Sequence, residues 1–141
     1  MRSKMHVFLL VVFFSFNSLN AQVIGKIFGA DYANKEFGEV VKFVEINNYE
    51  LESMLKNSGE YIMLNIETGI VRALDNKRNS INGFAISERE VFYRMSTSQV
   101  ELLLKKGRMK STKIEMRPKT LTLTNGSYTL EMVLPCPPHC P

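Results

Sequence analysis

The chain has 141 residues, 45% of them hydrophobic, with 18 Lys and Arg against 14 Asp and Glu. Apolar content at this level excludes a disordered chain, and the length suits one domain with a real core rather than two. There is no dense basic face with interleaved aromatics, so nucleic acid is not the expected partner.

Arg2 and Lys4 make a basic start, Val7 to Phe16 is apolar except for Ser15, and Asn17 to Ala21 is short, polar and ends on a small side chain. That order is the three-part secretory signal. A spanning helix needs about 20 apolar residues, roughly twice this run. The reading is a cleaved signal peptide over residues 1–21, a mature N-terminus at Gln22 and a secreted or periplasmic location, with no transmembrane segment once the signal is gone. The leader removes two basic residues and His6, leaving His139 as the remaining histidine.

Gln22 to Gly29 begins with a short apolar run and reads as an edge strand, and Ala30 to Gly38 as a polar turn. Glu39 to Ile46 is rich in Val, Phe and Ile and reads as a strand. Asn47 is a good N-cap with Glu50 three residues later, a capping-box pattern. Leu51, Met54 and Leu55 then form one apolar stripe, and Gly59 ends the helix. Tyr61–Ile66 and Ile70–Leu74 read as strands around Glu67-Thr68-Gly69. Asp75 to Gly83 is a polar loop, and Val91 to Met95 a strand. Ser96 and Gln99 repeat the capping box before the stripe Val100, Leu103 and Leu104, and Gly107 closes that helix. Thr112 to Arg117 alternates, with Ile114 and Met116 on one face and Lys113, Glu115 and Arg117 on the other. Asn125-Gly126 predicts a two-residue hairpin turn. The return strand is expected to place Tyr128, Leu130 and Met132 inward, with Thr129 and Glu131 outward.

A shift of 49 residues lays Phe43–Lys56 on Phe92–Lys105 without a gap, with Phe43/Phe92, Glu52/Glu101, Leu55/Leu104 and Lys56/Lys105 identical. Each half reads strand–helix–strand–strand, over about 39–76 and 88–133, as expected of an internal repeat. One such unit has more sheet than its single helix covers, so two should pair. The expected fold is therefore α+β: a two-layer sandwich, a mainly antiparallel sheet of six or seven strands with two helices on one face. It forms a single domain over 22–134, followed by a Cys/Pro-rich tail over 135–141.

Cys136-Pro137-Pro138-His139-Cys140-Pro141 is the segment with the most chemistry. Two cysteines this close in an exported protein point to a local disulfide. The alternative is a metal site for Zn or Cu, with Cys136, Cys140 and His139 as ligands. Redox catalysis fits poorly, because no helix can follow to activate a thiol. Lys77 and Arg78 are candidate anion contacts within a polar turn, and Asn125-Gly126-Ser127 also fits the N-glycosylation pattern. No nucleophile elbow, phosphate loop or paired helical histidines occur, so no catalytic residue is assigned. The functional expectation is a non-enzymatic binding or interaction protein of the cell envelope, without a cofactor, whose partner is a protein, a peptide or an envelope polymer.

Overall fold

A computed structural model describes residues 22–141. The signal peptide read over residues 1–21 lies outside the described residues. Among those described, the elements run β1 (Lys26–Gly29), α1 (Ala30–Phe37), β2 (Lys42–Asn47), α2 (Asn48–Lys56), β3 (Tyr61–Glu67), β4 (Ile70–Leu74), β5 (Phe92–Ser96), α3 (Thr97–Gly107), β6 (Ser111–Arg117), β7 (Thr120–Asn125), β8 (Tyr128–Glu131) and β9 (Leu134–Cys136).

The fold is α+β, and every strand pair is antiparallel. The strands divide into two sheets, ordered β1-β8-β7-β6-β2 and β4-β3-β5-β9. This corrects the expectation of one sheet. The reason is an exchange of strands: β2 pairs with β6 rather than with the β3–β4 hairpin that follows it, and β5 pairs with β3. Leu64, Ile66 and Ala73 of one sheet and Ile114, Leu123 and Leu130 of the other share a single core with Leu51, Leu55, Val100 and Leu103 of the helices. Hydrophobic burial of this kind is the main driving force for such a fold. Met63, Leu74, Phe92 and Cys136 form a second apolar cluster.

Helix α2 starts as its sequence dictates: the Asn47 side chain accepts the Tyr49 N–H at 2.8 Å, and Leu51, Met54 and Leu55 are buried. Ser96 behaves differently. Its hydroxyl accepts the Ile24 N–H at 2.7 Å and makes no side-chain cap on α3. The first hairpin is a two-residue turn with Thr68 and Gly69 both at positive φ, 49° and 75°, as a type I′ turn requires. The second turn falls one residue later than expected. Asn125 pairs with Tyr128 as the last strand residue, and Gly126 supplies the positive φ of 59°.

Residues 30–38 contain helix α1 where a polar turn was expected. Ala33 alone in that helix is buried, so it carries no apolar stripe to read. Aromatic contacts hold it instead, with the Phe28 ring 5.1 Å from Tyr32 and 5.7 Å from Phe37. Sheet residues expected to face solvent are consequently covered. Glu115, Arg117, Thr129 and Glu131 are buried, while Tyr128 and Met132, expected inward, are exposed.

The two strand–helix–strand–strand segments also match in their pairing. Asn47 stands opposite Ser111 where β2 meets β6, and Ser96 opposite Tyr61 where β5 meets β3. The first helical N–H of each segment reaches the same place in the other: Asn48 N–H donates to Lys110 O and Thr97 N–H to Glu60 O, both at 2.9 Å.

Candidate functional site

The tail begins as a strand. Leu134–Cys136 pairs with β5, Cys136 opposite Phe92 and Leu134 opposite Arg94. Cys136 is fully buried and forms a disulfide with Cys140, with Cα atoms 4.7 Å apart. The His139 N–H donates to Pro135 O at 2.9 Å and closes the loop, leaving Pro137, Pro138 and His139 exposed. The expected boundary at residue 134 thus falls within β9, so part of the Cys/Pro-rich segment belongs to the sheet.

Arg78 is the residue that ties this loop down. Its Nη1 donates to Cys136 O and lies near Cys136 Sγ, each at 3.1 Å, and its Nη2 donates to Glu90 O at 3.3 Å. The guanidinium also sits over the Phe92 ring at 5.8 Å, a favourable cation–π position. The turn that aims it is built by Asp75, whose Oδ1 accepts the backbone N–H groups of Lys77 and Asn79 at 2.9 Å. Arg78 itself adopts φ 64°. Of the five residues singled out in the sequence, Arg78, Cys136 and Cys140 are brought together. Lys77 is exposed on the same turn and His139 on the loop, and neither side chain makes a hydrogen bond among the described residues.

Beside the loop lies an open concavity of about 720 Å³, lined by Arg78, Phe84, Ile86, Glu88, Pro137 and Cys140 among others. The segment 84–88 that lines it is anchored at Ala85 and Glu90 by Arg72, a buried residue that sequence reasoning missed. Arg72 donates to Glu67 at 2.6 Å, to Glu90 at 2.9 Å and to Ala85 O at 2.6 Å. The hydrogen bond from Arg72 holds the Glu90 carboxyl below its usual range, against partial desolvation, with the charges of Arg72 and Arg78 and the Ser87 N–H helping. Charge pairing of this kind leaves Glu90 a structural anion rather than a proton carrier.

A second opening, about 370 Å³, runs between α2 and α3. Glu52, Leu55, Lys56, Glu101, Leu104 and Lys105 line it. These are three of the four identical pairs of the 49-residue match, and the fold brings them to one opening.

Under α1, Arg117 Nη2 donates to Glu115 at 2.9 Å, Nε to Thr122 Oγ1 at 3.0 Å and Nη1 to Asn34 at 2.9 Å. Glu131 Oε1 is 4.0 Å from Arg117 Nε and has no hydrogen-bond partner. Burial raises the Glu131 pKa to about 7, opposed by the Met132 N–H and the Arg117 charge and reinforced by Glu115. The strict alternation of the sequence hides this cluster, because it shows two faces but not which of them α1 covers.

Asn125 is fully buried. Its amide donates to Ser111 O at 3.1 Å and to Thr112 Oγ1 at 3.0 Å, and its oxygen accepts the Met109 N–H at 3.0 Å. The glycosylation reading therefore gives way to a structural one. Among the described residues no group of three His, Cys, Asp or Glu side chains is arranged to hold a metal ion, and no helix is long and apolar enough to cross a membrane. No protein-family model, curated protein or solved structure matches the chain.

Proposed function

We propose that this chain is an exported, non-enzymatic binding or interaction protein of the cell envelope, and that it meets its partner through the Cys136–Cys140 loop. The observation that carries this reading is the loop's mounting. Its base is buried and clamped by Arg78, while Pro137, Pro138 and His139 stand out beside an open concavity. A loop held in one conformation loses little entropy on binding, which suits recognition of a protein, a peptide or an envelope polymer. The concavity is lined by one cation, one carboxylate, the uncharged polar residues Asn79, Ser80 and Ser87 and several apolar groups, a mixture suited to contact rather than to acid–base chemistry.

Export is supported by the order of charges and apolar residues over 1–21 and by the disulfide, which persists in oxidising compartments. Protein recovered from the exported fraction should begin at Gln22; an intact leader on that protein would overturn the reading. Metal handling through Cys136, His139 and Cys140 first requires reduction of the bond, since a sulfur in a disulfide is not a thiolate ligand. The test of contact is a photo-crosslinking amino acid placed at His139 and, separately, at the exposed Lys119, in protein incubated with isolated envelope. A discrete adduct from position 139 alone is expected. Equal labelling from both positions, or none, removes the loop as the contact.

We also infer that the two halves are copies of one unit, supported by the shared register of β2–β6 and β5–β3. Related sequences should keep the pairs Leu55/Leu104 and Lys56/Lys105 alike; relatives in which the two segments share nothing would overturn it.

A further inference from the structure

Strands β2 and β5 hold equivalent places, yet their outer edges differ. β5 has β3 on one side and β9 on the other, whereas β2 has β6 on one side and ends its sheet. Antiparallel alternation, counted from the Asn48 N–H bond to Lys110 O, turns the N–H and C=O groups of Phe43 and Glu45 toward the open side. The same count turns Phe92 and Arg94 toward β9, where Cys136 and Leu134 meet them.

The side chains carry the same contrast. Phe92 is fully buried, but Phe43 is 54% exposed and Val41 beside it 70%. A groove of about 360 Å³ opens along β2, with Val44, Ile46, Ile70 and Phe84 as its apolar walls and the carboxylates of Glu45 and Glu50 also on its lining, so an acidic group is favoured only at the lysines and not within the groove. The residues that follow the Leu74–Ser80 bridge in the first half run past this groove without pairing to β2, whereas those that follow β8 in the second half supply β9. A cation marks each seat: Arg78 over Phe92 at 5.8 Å and Lys113 over Phe43 at 5.1 Å. Arg78 is spent on the Cys136 carbonyl and Glu90. Lys113 and the neighbouring Lys42 make no ion pair within 4.0 Å among the described residues.

We propose that the open edge of β2 is a strand-accepting site. It takes an extended segment of a partner protein, apolar opposite Phe43 and carrying a carboxylate for Lys113 or Lys42, added antiparallel as β9 is added to β5. Exposed edges offer unpaired N–H and C=O groups for this kind of pairing. Main-chain bonds supply the affinity, and because side chains alternate between faces, Phe43 and Lys113 select the groups on one face while the groove beside Val44 and Ile46 and the neighbouring Lys42 select those on the other. The proposal does not rest on the tail as a contact, and its test leaves the tail intact.

The probe is a synthetic peptide with the sequence of residues 131–137 carrying Cys136→Val, which in the β9 register sets an apolar side chain opposite Phe43, and Pro137→Glu, which sets a carboxylate opposite Lys42. Isotope-labelled protein is titrated with it, and backbone amide shifts and hydrogen exchange are followed by NMR. Saturable shifts and slowed exchange at Phe43 and Glu45 are expected. Glu45→Pro removes an N–H only from the open side and should weaken binding roughly tenfold. Phe43→Asp, at an exposed position, should do the same or more. No saturable change at millimolar peptide overturns the proposal, as do shifts confined to β5, which would mean displacement of the chain's own strand. Concentration-dependent protection of Phe43 and Glu45 without peptide, with a doubled mass, would make a second copy the occupant and overturn it likewise.

Discussion

Phe43 and Phe92 stand at matching positions of two strands with the same register, one more than half exposed and the other sealed beneath Cys136. One residue type at equivalent sites therefore does different work. Phe92→Ala should empty a packed site and cost about 3–5 kcal/mol, whereas Phe43→Ala should change stability by about 0.5 kcal/mol or less. Urea unfolding of the two variants measures the difference, and equal losses would contradict the burial described.

Glu131 gives the fold a pH dependence with an unusual sign. Its pKa rises from 4.5 unfolded to about 7 folded, chiefly by burial. The folded state therefore holds the proton more tightly, and stability falls as pH rises from 4.5 through 7. The penalty at higher pH is on the order of 2 to 3 kcal/mol. Glu131→Gln keeps the shape and removes the charge, so it should flatten the slope and exceed the wild type in stability at about pH 8. Unfolding midpoints at about pH 5 and about pH 8 decide it; a variant that keeps the wild-type slope assigns the effect to another group.

The two cysteines should respond unequally to replacement. Cys136→Ser places a hydroxyl in a fully buried apolar cluster and should cost about 1–3 kcal/mol beyond loss of the bond. Cys140→Ser, at an exposed position, should lose only what the short disulfide loop supplies, since stabilisation by a cross-link grows with loop length. Thermal unfolding of both variants under identical conditions compares them. A milder loss for Cys136→Ser would mean that the strand is not seated as described.

Gly107 is required by proximity. A Cβ there would collide with the Asn125 side-chain oxygen and its backbone carbonyl, and Asn125 is buried and fully engaged. Gly107→Ala should destabilise by about 1–3 kcal/mol, well beyond the small gain Ala brings elsewhere in a helix. Calorimetry on the variant checks this.

The elements that carry strong periodicity could be read from the residues alone. The stripe Leu51, Met54 and Leu55, the alternation of residues 112–117 and the paired cysteines each state their structure locally. What could not be read depends on contacts between distant residues. Helix α1 has a single buried small residue, so its sequence resembles a turn. Glu131 alternates as a solvent-facing residue would, and only α1 overhead makes it buried. Arg78 sits in a polar run that suggests an anion site, yet its guanidinium is aimed at a carbonyl 58 residues along the chain. The division into two sheets was hidden for the same reason, because no local signal says which hairpin a lone strand will join.

That choice of hairpin has a mechanical consequence. Each half lends its opening strand to the other, so a backbone cut between β4 and β5 yields two fragments, neither of which owns a complete sheet. The severed molecule would remain clasped as a non-covalent pair, each piece shielding the other's unpaired strand. The intact chain meets the same requirement while folding: its sheets close only after segments far apart in sequence have met, which is the slow route.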